Sequence, residues 1–366
     1  MRPGVASALS ALTLALLYAC ESEPLESTGG LAGGAGEAGA TSNGGTGGAG
    51  GGAAAGAAGA GAAGGSSDEG GAAGAGGSAG ELDCFEYGTP EAVGTVENAE
   101  LLEISGIAAS RAQPGVFYVH NDSGDVARFF ALTEGGQTLG EYALPAATAI
   151  DWEDVAIGPG PGGIQHLFLG DIGDNAARVG SGTPRAEVYV YRVPEPVVSL
   201  AQSPVQQTVS FERLTLIYPD APHDAETLMV DPLASELVIV TKENDGNSAI
   251  FRAPADAATD TPITLEPLGN VQLGTAQTPG NTLATSGDIA PSGNAIVIRT
   301  YNSVLLWARP AGIGVGEVLA VPPHVLTPPA ELQGEAIAFA ADGLGWYTVA
   351  EGSAATIFSA RSGCAD

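Results

Sequence analysis

Lysine is all but missing from this chain. Lys242 is the only one in 366 residues, and together with eleven arginines it faces 42 aspartates and glutamates, for a formal charge of -30. That balance excludes nucleic acid as a partner, because phosphate binding draws on clustered Lys and Arg. Cysteine is scarce as well: Cys20, Cys84 and Cys364 form no Cys-x-x-Cys pair. The four histidines, His120, His166, His223 and His324, show no metal-ligand spacing. A His-Glu-x-x-His motif is absent, and the one Gly-x-Ser-x-Gly match, Gly76-Gly77-Ser78-Ala79-Gly80, falls in a Gly/Ala-rich run with no strand–turn–helix pattern for a nucleophile elbow. The run Gly158-Pro159-Gly160-Pro161-Gly162-Gly163 matches a dinucleotide fingerprint only formally. Its two prolines and the strand after it leave no helix N-terminus for a pyrophosphate. The apolar run at 5–19 is too short to span a membrane, and helical periodicity is nowhere sustained.

What is present falls into three parts. Residues 1–20 read as an export signal, with Arg2 ahead of the apolar run and a small residue before Cys20. Residues 21–81 are a tether, nearly all Gly, Ala and Ser from residue 28 onward, a composition that cannot bury enough apolar surface to offset ordering entropy. As a Gly-rich coil it spans on the order of 40 Å. Residues 82–366 are the folded part, carrying 11 basic and 35 acidic residues for a net charge of -24. Scattered acids of this kind are explained by solubility; acids that recur in register are not.

One phrase recurs five times in the folded part. It reads Ser105-Gly106-Ile107-Ala108, Glu153-Asp154-Val155-Ala156, Glu226-Thr227-Leu228-Met229, Gly287-Asp288-Ile289-Ala290 and Glu335-Ala336-Ile337-Ala338. Recurrence at roughly 50 to 70 residues predicts an all-β propeller. Second strands are expected at 116–120, 166–169, 236–240, 295–298 and 345–349, and third strands at 128–132, 187–193, 249–253, 304–308 and 356–360. Fourth strands fit at 139–144, 208–218, 264–273 and 316–321. The fifth unit lacks one, and residues 91–97 are expected to supply it and close the ring. Five four-stranded blades are favoured. Six stay open, because the 73-residue interval from Glu153 to Glu226 has room for a degenerate blade.

Inner strands and their antiparallel neighbours bring strand starts and strand ends to one axial mouth. The expected metal ligands there are Glu153, Asp154, Asp171, Glu226, Asp288, Glu335 and Glu351, with Ca²⁺ as the cation because carboxylates are hard oxygen donors. Lys242, Arg299, Asn121, Asp122 and His223 are candidate ligand-binding residues. Glu153, Glu226 or Glu335 would serve as base if the protein turns a substrate over. Glutamate suits neither turns nor strands, so its recurrence at strand starts asks for another explanation. Asp and Asn in Asp122-Ser123-Gly124-Asp125 and in Asp171-Ile172-Gly173-Asp174-Asn175 are also ordinary turn formers, and neither run has EF-hand spacing.

Two resemblances add to this reading. Leu17-Tyr18-Ala19-Cys20 resembles a bacterial lipobox, except at Tyr18, where that motif usually has a small residue. The resemblance implies lipidation of Cys20 and, with Glu21 following, an outer-membrane anchor as the only membrane contact; ordinary signal cleavage is the alternative. With Cys20 so assigned, Cys84 and Cys364 bracket the folded part and read as one disulfide in an exported protein. The motifs Asp151-Trp152-Glu153-Asp154, Gly170-Asp171-Ile172-Gly173-Asp174-Asn175, Asp224-Ala225-Glu226-Thr227 and Gly334-Glu335-Ala336-Ile337 resemble extracytoplasmic propellers of the phytase-like or esterase-like type. That resemblance implies the fold and, in its phytase members, acids that hold Ca²⁺ beside basic residues that meet phosphate. Three functions follow as expectations. The first is a monomeric, tethered propeller binding a cation and a small-molecule or protein ligand. A calcium-dependent phosphoester or ester hydrolase is the second, and a structural envelope module the third.

Overall fold

Short apolar segments punctuated by Gly, Asn and Asp turns form five sheets in a computed structural model, antiparallel except at two edge pairings. It describes residues 86–274, 280–331 and 333–363. The expected signal peptide, tether and lipidated Cys20, and the expected Cys84–Cys364 pair, lie outside the described residues.

The chain enters at β1 (Glu91–Thr95). Blade 1 follows with β2 (Ile104–Ala109), β3 (Val116–Asn121), β4 (Arg128–Thr133) and β5 (Thr138–Ala143). Blade 2 has β6 (Trp152–Pro159), β7 (Gln165–Asp171), helix α1 (Asn175–Val179) and β8 (Val188–Pro194). The chain then detours through β9 (Val205–Thr208) before β10 (Glu212–Ile217) completes that blade. Blade 3 contains β11 (Ala225–Asp231), β12 (Glu236–Thr241), β13 (Asn247–Pro254) and β15 (Glu266–Gln272), with the short β14 (Ile263–Thr264) between β13 and β15 in the chain but outside its sheet. Blade 4 is built from β16 (Ala284–Ile289), β17 (Ala295–Thr300), β18 (Ser303–Ala308), helix α2 (Val315–Leu319) and β19 (His324–Leu326). Blade 5 holds β20 (Gly334–Phe339), β21 (Gly345–Ala350) and β22 (Thr356–Arg361). Its fourth strand is β1, which pairs antiparallel with β22 from Glu91 opposite Ser359 to Thr95 opposite Thr356. The pairing runs on outward, with the Gly88 N–H donating to Arg361 O at 2.9 Å and the Gly363 N–H to Glu86 O at 2.8 Å.

The ring therefore has five blades, and the long interval after Glu153 holds α1 and β9 instead of a sixth. Of residues 208–218, expected as one strand, Glu212–Ile217 form β10, and Thr208 is the last residue of the separate β9. β9 leaves blade 2 and pairs in parallel with β5 of blade 1, and only β10 belongs to blade 2. In the same way β14 pairs in parallel with β10. Residues 316–321, expected as a strand, form α2, and the fourth strand of blade 4 comes later as β19. Val315, Val318 and Leu319 are buried at i, i+3 and i+4, a one-turn helical spacing that overrides the strand reading.

The core is not one body. Five hydrophobic wedges lie between successive blades, each drawing residues from both neighbours. Trp152, Trp307 and Trp346 are fully buried in three of them. Among the described residues no helix is long and apolar enough to cross a membrane.

Candidate functional site

All five inner strands break register with their neighbours at the same point, one residue after the strand begins. The shift falls at Ser105, Glu153, Glu226, Thr285 and Glu335. A bulged residue is unpaired, and its side chain is re-aimed relative to the pleat. Five equivalent bulges thus present five side chains at one end of the axis. The member in blade 4 is Thr285; Asp288 lies three residues deeper, so the phrase beginning at Gly287 is two residues out of step with the others. A second ring is given by the residue just past each second strand: Asp122, Ile172, Lys242, Tyr301 and Glu351.

Three acids converge between blades 1 and 2. One carboxylate oxygen each from Asp122, Asp151 and Glu153 lies within 4.8 Å of the other two. Full charges that close repel by at least about 3 kcal/mol per pair at an effective dielectric near 20. Burial and the neighbouring acids push Asp122 up to about 8 and Asp151 up to about 6, and burial holds Glu153 well above the usual range. Gly173, in the loop after β7, closes over the group. A Cβ there would come within 2.1 Å of Glu153 Oε1 and 2.5 Å of Asp151 Oδ2. That loop is held by Asp171, which is fully buried and takes the Arg185 guanidinium at 2.9 Å and the Asp151 N–H at 3.1 Å.

Across the mouth stands the one ammonium. Lys242 Nζ contacts Glu226 and donates to the Tyr301 hydroxyl at 2.7 Å. Burial opposes its charge, but Glu226, Tyr301, Glu335 and Glu153 hold its pKa well above the usual lysine value. Glu226 is pushed up to about 7 by burial against the pull of Lys242, and Glu335 is raised further by burial and by Glu226. Glu351, half-buried, is raised by burial and Glu103. Asp224 takes Arg178 Nε at 2.8 Å and the Asp174 N–H at 2.7 Å, linking α1 to the start of β11.

Other candidates lie elsewhere. Asp154 faces the axis below the mouth as a tie between inner strands. It accepts from the N–H groups of Val155, Leu228 and Gly287 and from the Ser286 hydroxyl, at 2.9 to 3.2 Å. Burial still raises its pKa well above the usual value. Asp288 meets Arg111 at 2.7 Å, and Arg111 also donates to Phe339 O, joining blades 1, 4 and 5 at the far end of the axis. Arg299 turns between blades 4 and 5 to Glu331 at 2.7 Å, packed so tightly on Gly334 that a Cβ there would overlap its guanidinium. Asn121 pins its own loop through Glu100 O, Asp125 and the Glu103 N–H. His223 is held by Asp220, Glu243 and the rings of Tyr218 and Phe251.

Asp151, Tyr301 and Thr285 belong to the mouth although they were not among the candidate site residues. Counting one residue past each second strand finds Tyr301, and counting one into each inner strand finds Thr285. Asp151 precedes β6 and is found only through the fold of the Gly173 loop. The chain matches no protein-family model and no curated protein.

Proposed function

We propose that this chain is an envelope-tethered propeller whose axial mouth binds a hard divalent cation, Ca²⁺ by its donor chemistry, and through it an external ligand or partner. The observation that carries the reading is the convergence of Asp122, Asp151 and Glu153 within 4.8 Å beneath Gly173. Three carboxylates without His or Cys suit an oxygen-seeking cation and not zinc. A divalent ion takes the group from three negative charges to one, which relieves the repulsion that otherwise keeps protons on it. Ca²⁺ suits such a site better than Mg²⁺, which prefers to keep its waters and a strict octahedron.

The test is the unfolding midpoint of the full chain in EDTA, in graded Ca²⁺ and in Mg²⁺ at matched ionic strength. At a hundred times the dissociation constant, linkage contributes about 2.7 kcal/mol, or roughly 4–5 °C for a ring of this size. Asp151→Asn/Glu153→Gln should abolish the rise. An unchanged midpoint, or an equal rise in the double variant, would sink the site.

A second reading, a cation-dependent hydrolase of phosphoesters or related esters, is favoured by Glu226, whose pKa near 7 suits a general base close to the triad. A phosphoester panel run on the same preparations separates the two, since Glu226→Ala abolishes turnover in the second reading alone.

A further inference from the structure

The two ends of the ring differ in charge. Away from the mouth, five turns join each inner strand to its second strand, at 110–115, 160–164, 232–235, 290–294 and 340–344, and their only charged residues are Arg111 and Asp342. Both are ion-paired, Arg111 with Asp288 and Asp342 with Arg361. The five turns at the mouth, which join second strands to third, hold seven acids against three bases. The far end is apolar instead. Ile164 and Leu233 in its turns are each 62 % exposed, Leu344 is exposed in the turn of blade 5, and Val197, on the strap after β8, is 95 % exposed. That strap packs on the turn of blade 1, where Gln113 donates to Pro196 O at 2.9 Å and a Cβ on Gly115 would touch Leu200. The turns of blades 3, 4 and 5 also meet, since Cβ atoms on Gly293 and Gly343 would fall against Leu233 and Pro291. Exposed apolar side chains are ordinary singly; a face of them with almost no charge points to a surface that is covered.

The chain joins the ring at this same end. β1 runs toward the mouth from Glu91, level with Ser359, and before it Gly88 and Glu86 are hydrogen-bonded to Arg361 and Gly363. The Ser362 N–H donates to Leu344 O at 2.8 Å, so residues 86–88 stand beside the turn of blade 5, and whatever precedes them hangs from the apolar end. We infer that the far end is a lipid-facing surface: the tether draws it onto the bilayer, Ile164, Val197, Leu233 and Leu344 enter the headgroup layer, and the mouth opens away from the membrane. The inference rests on the reading of the chain as lipid-anchored and adds a second membrane contact to the anchor. A flexible tether makes that contact intramolecular, so side chains too few to hold a free protein on a bilayer can hold a tethered one. Val126 and Ile150 are exposed at the mouth, but they adjoin Asp125 and Asp151, whose carboxylates resist desolvation against lipid.

The test places bimane on the full lipidated chain through Leu233→Cys at the far end or Val126→Cys at the mouth. The labelled chains are bound to vesicles of phosphatidylethanolamine and phosphatidylglycerol that carry a nitroxide headgroup lipid, and the unaltered chain gives the background from Cys84 and Cys364. Quenching should be several-fold stronger at Leu233 than at Val126. Ile164→Asp/Val197→Asp should abolish that difference while the chain stays on the vesicles. Equal quenching at the two positions overturns the inference and leaves the anchor standing, and if both are unquenched the far end falls to a protein partner. A difference that survives the double variant overturns it too. A full chain that does not float with the vesicles overturns the anchor reading and the inference with it.

Discussion

Gly173 keeps Glu153 and Asp151 together by having no side chain. A methyl group at that position would overlap both carboxylates, so either the loop or the two carboxylates would have to shift. Gly173→Ala should therefore weaken Ca²⁺ binding by at least about tenfold, some 1.4 kcal/mol, while circular dichroism stays that of the folded ring; calorimetry decides, and unchanged affinity would show that the loop does not cover the ion. At this scale the sequence was legible where a residue type fitted its local structure badly. Glu153, Glu226 and Glu335 stood out as glutamates at strand starts, and all three fall at bulges. Asp288 carried the same chemical signal but lies too deep, where Arg111 neutralises it. Charge alone does not tell a buried ion pair from a ligand; only the partner in space does.

Elements of this ring reach backward. β9 leaves blade 2 for the edge of blade 1, β14 leaves blade 3 for blade 2, α2 packs from blade 4 against β15 of blade 3, and β1 fills blade 5. Each covers an edge that would otherwise offer unpaired backbone groups to another chain. Deleting residues 86–97 should expose β22, lower the unfolding midpoint and produce concentration-dependent association; size-exclusion chromatography over a dilution series would check it, and a monomer with an unchanged midpoint would contradict the closure. Alternation placed the second and third strands of every blade within two residues, but the inner strand of blade 4 begins at Ala284, three residues before the phrase at Gly287. Straps such as β9 and the five bulges were not readable, because a parallel edge pairing and a register shift are defined by the neighbouring strand and leave no period in the chain itself. α2 did leave one, at Val315, Val318 and Leu319, but a single turn is too brief to stand against a strand expectation.

The mouth couples the stability of the whole ring to pH. Asp122, Asp151 and Glu226 have folded pKa values raised to about 8, 6 and 7, above those of an unfolded chain near 4. The native state then holds more protons than the unfolded one between those limits, so stability falls as pH rises from about 4 to about 8 without metal. Glu331, raised to about 7, and His223, raised by its carboxylate partners, add in the same direction. On the proposed calcium reading the ion has to displace these protons, so its stabilising effect should grow across the same interval. Melting curves in EDTA and in Ca²⁺ at each pH check both signs, and Asp151→Asn/Glu153→Gln should flatten the Ca²⁺-dependent part.

Closure by β1 also leaves the described chain ends side by side, with Gly363 hydrogen-bonded to Glu86. A short peptide joining them would make the backbone a loop without start or finish, and the loop could be reopened at an exposed turn such as Gly162-Gly163. The five bulges are each set by a pair of strands within one blade, so they survive wherever the circle is cut. Order of synthesis is thereby uncoupled from the geometry of the mouth: any of the five blades is free to leave the ribosome first.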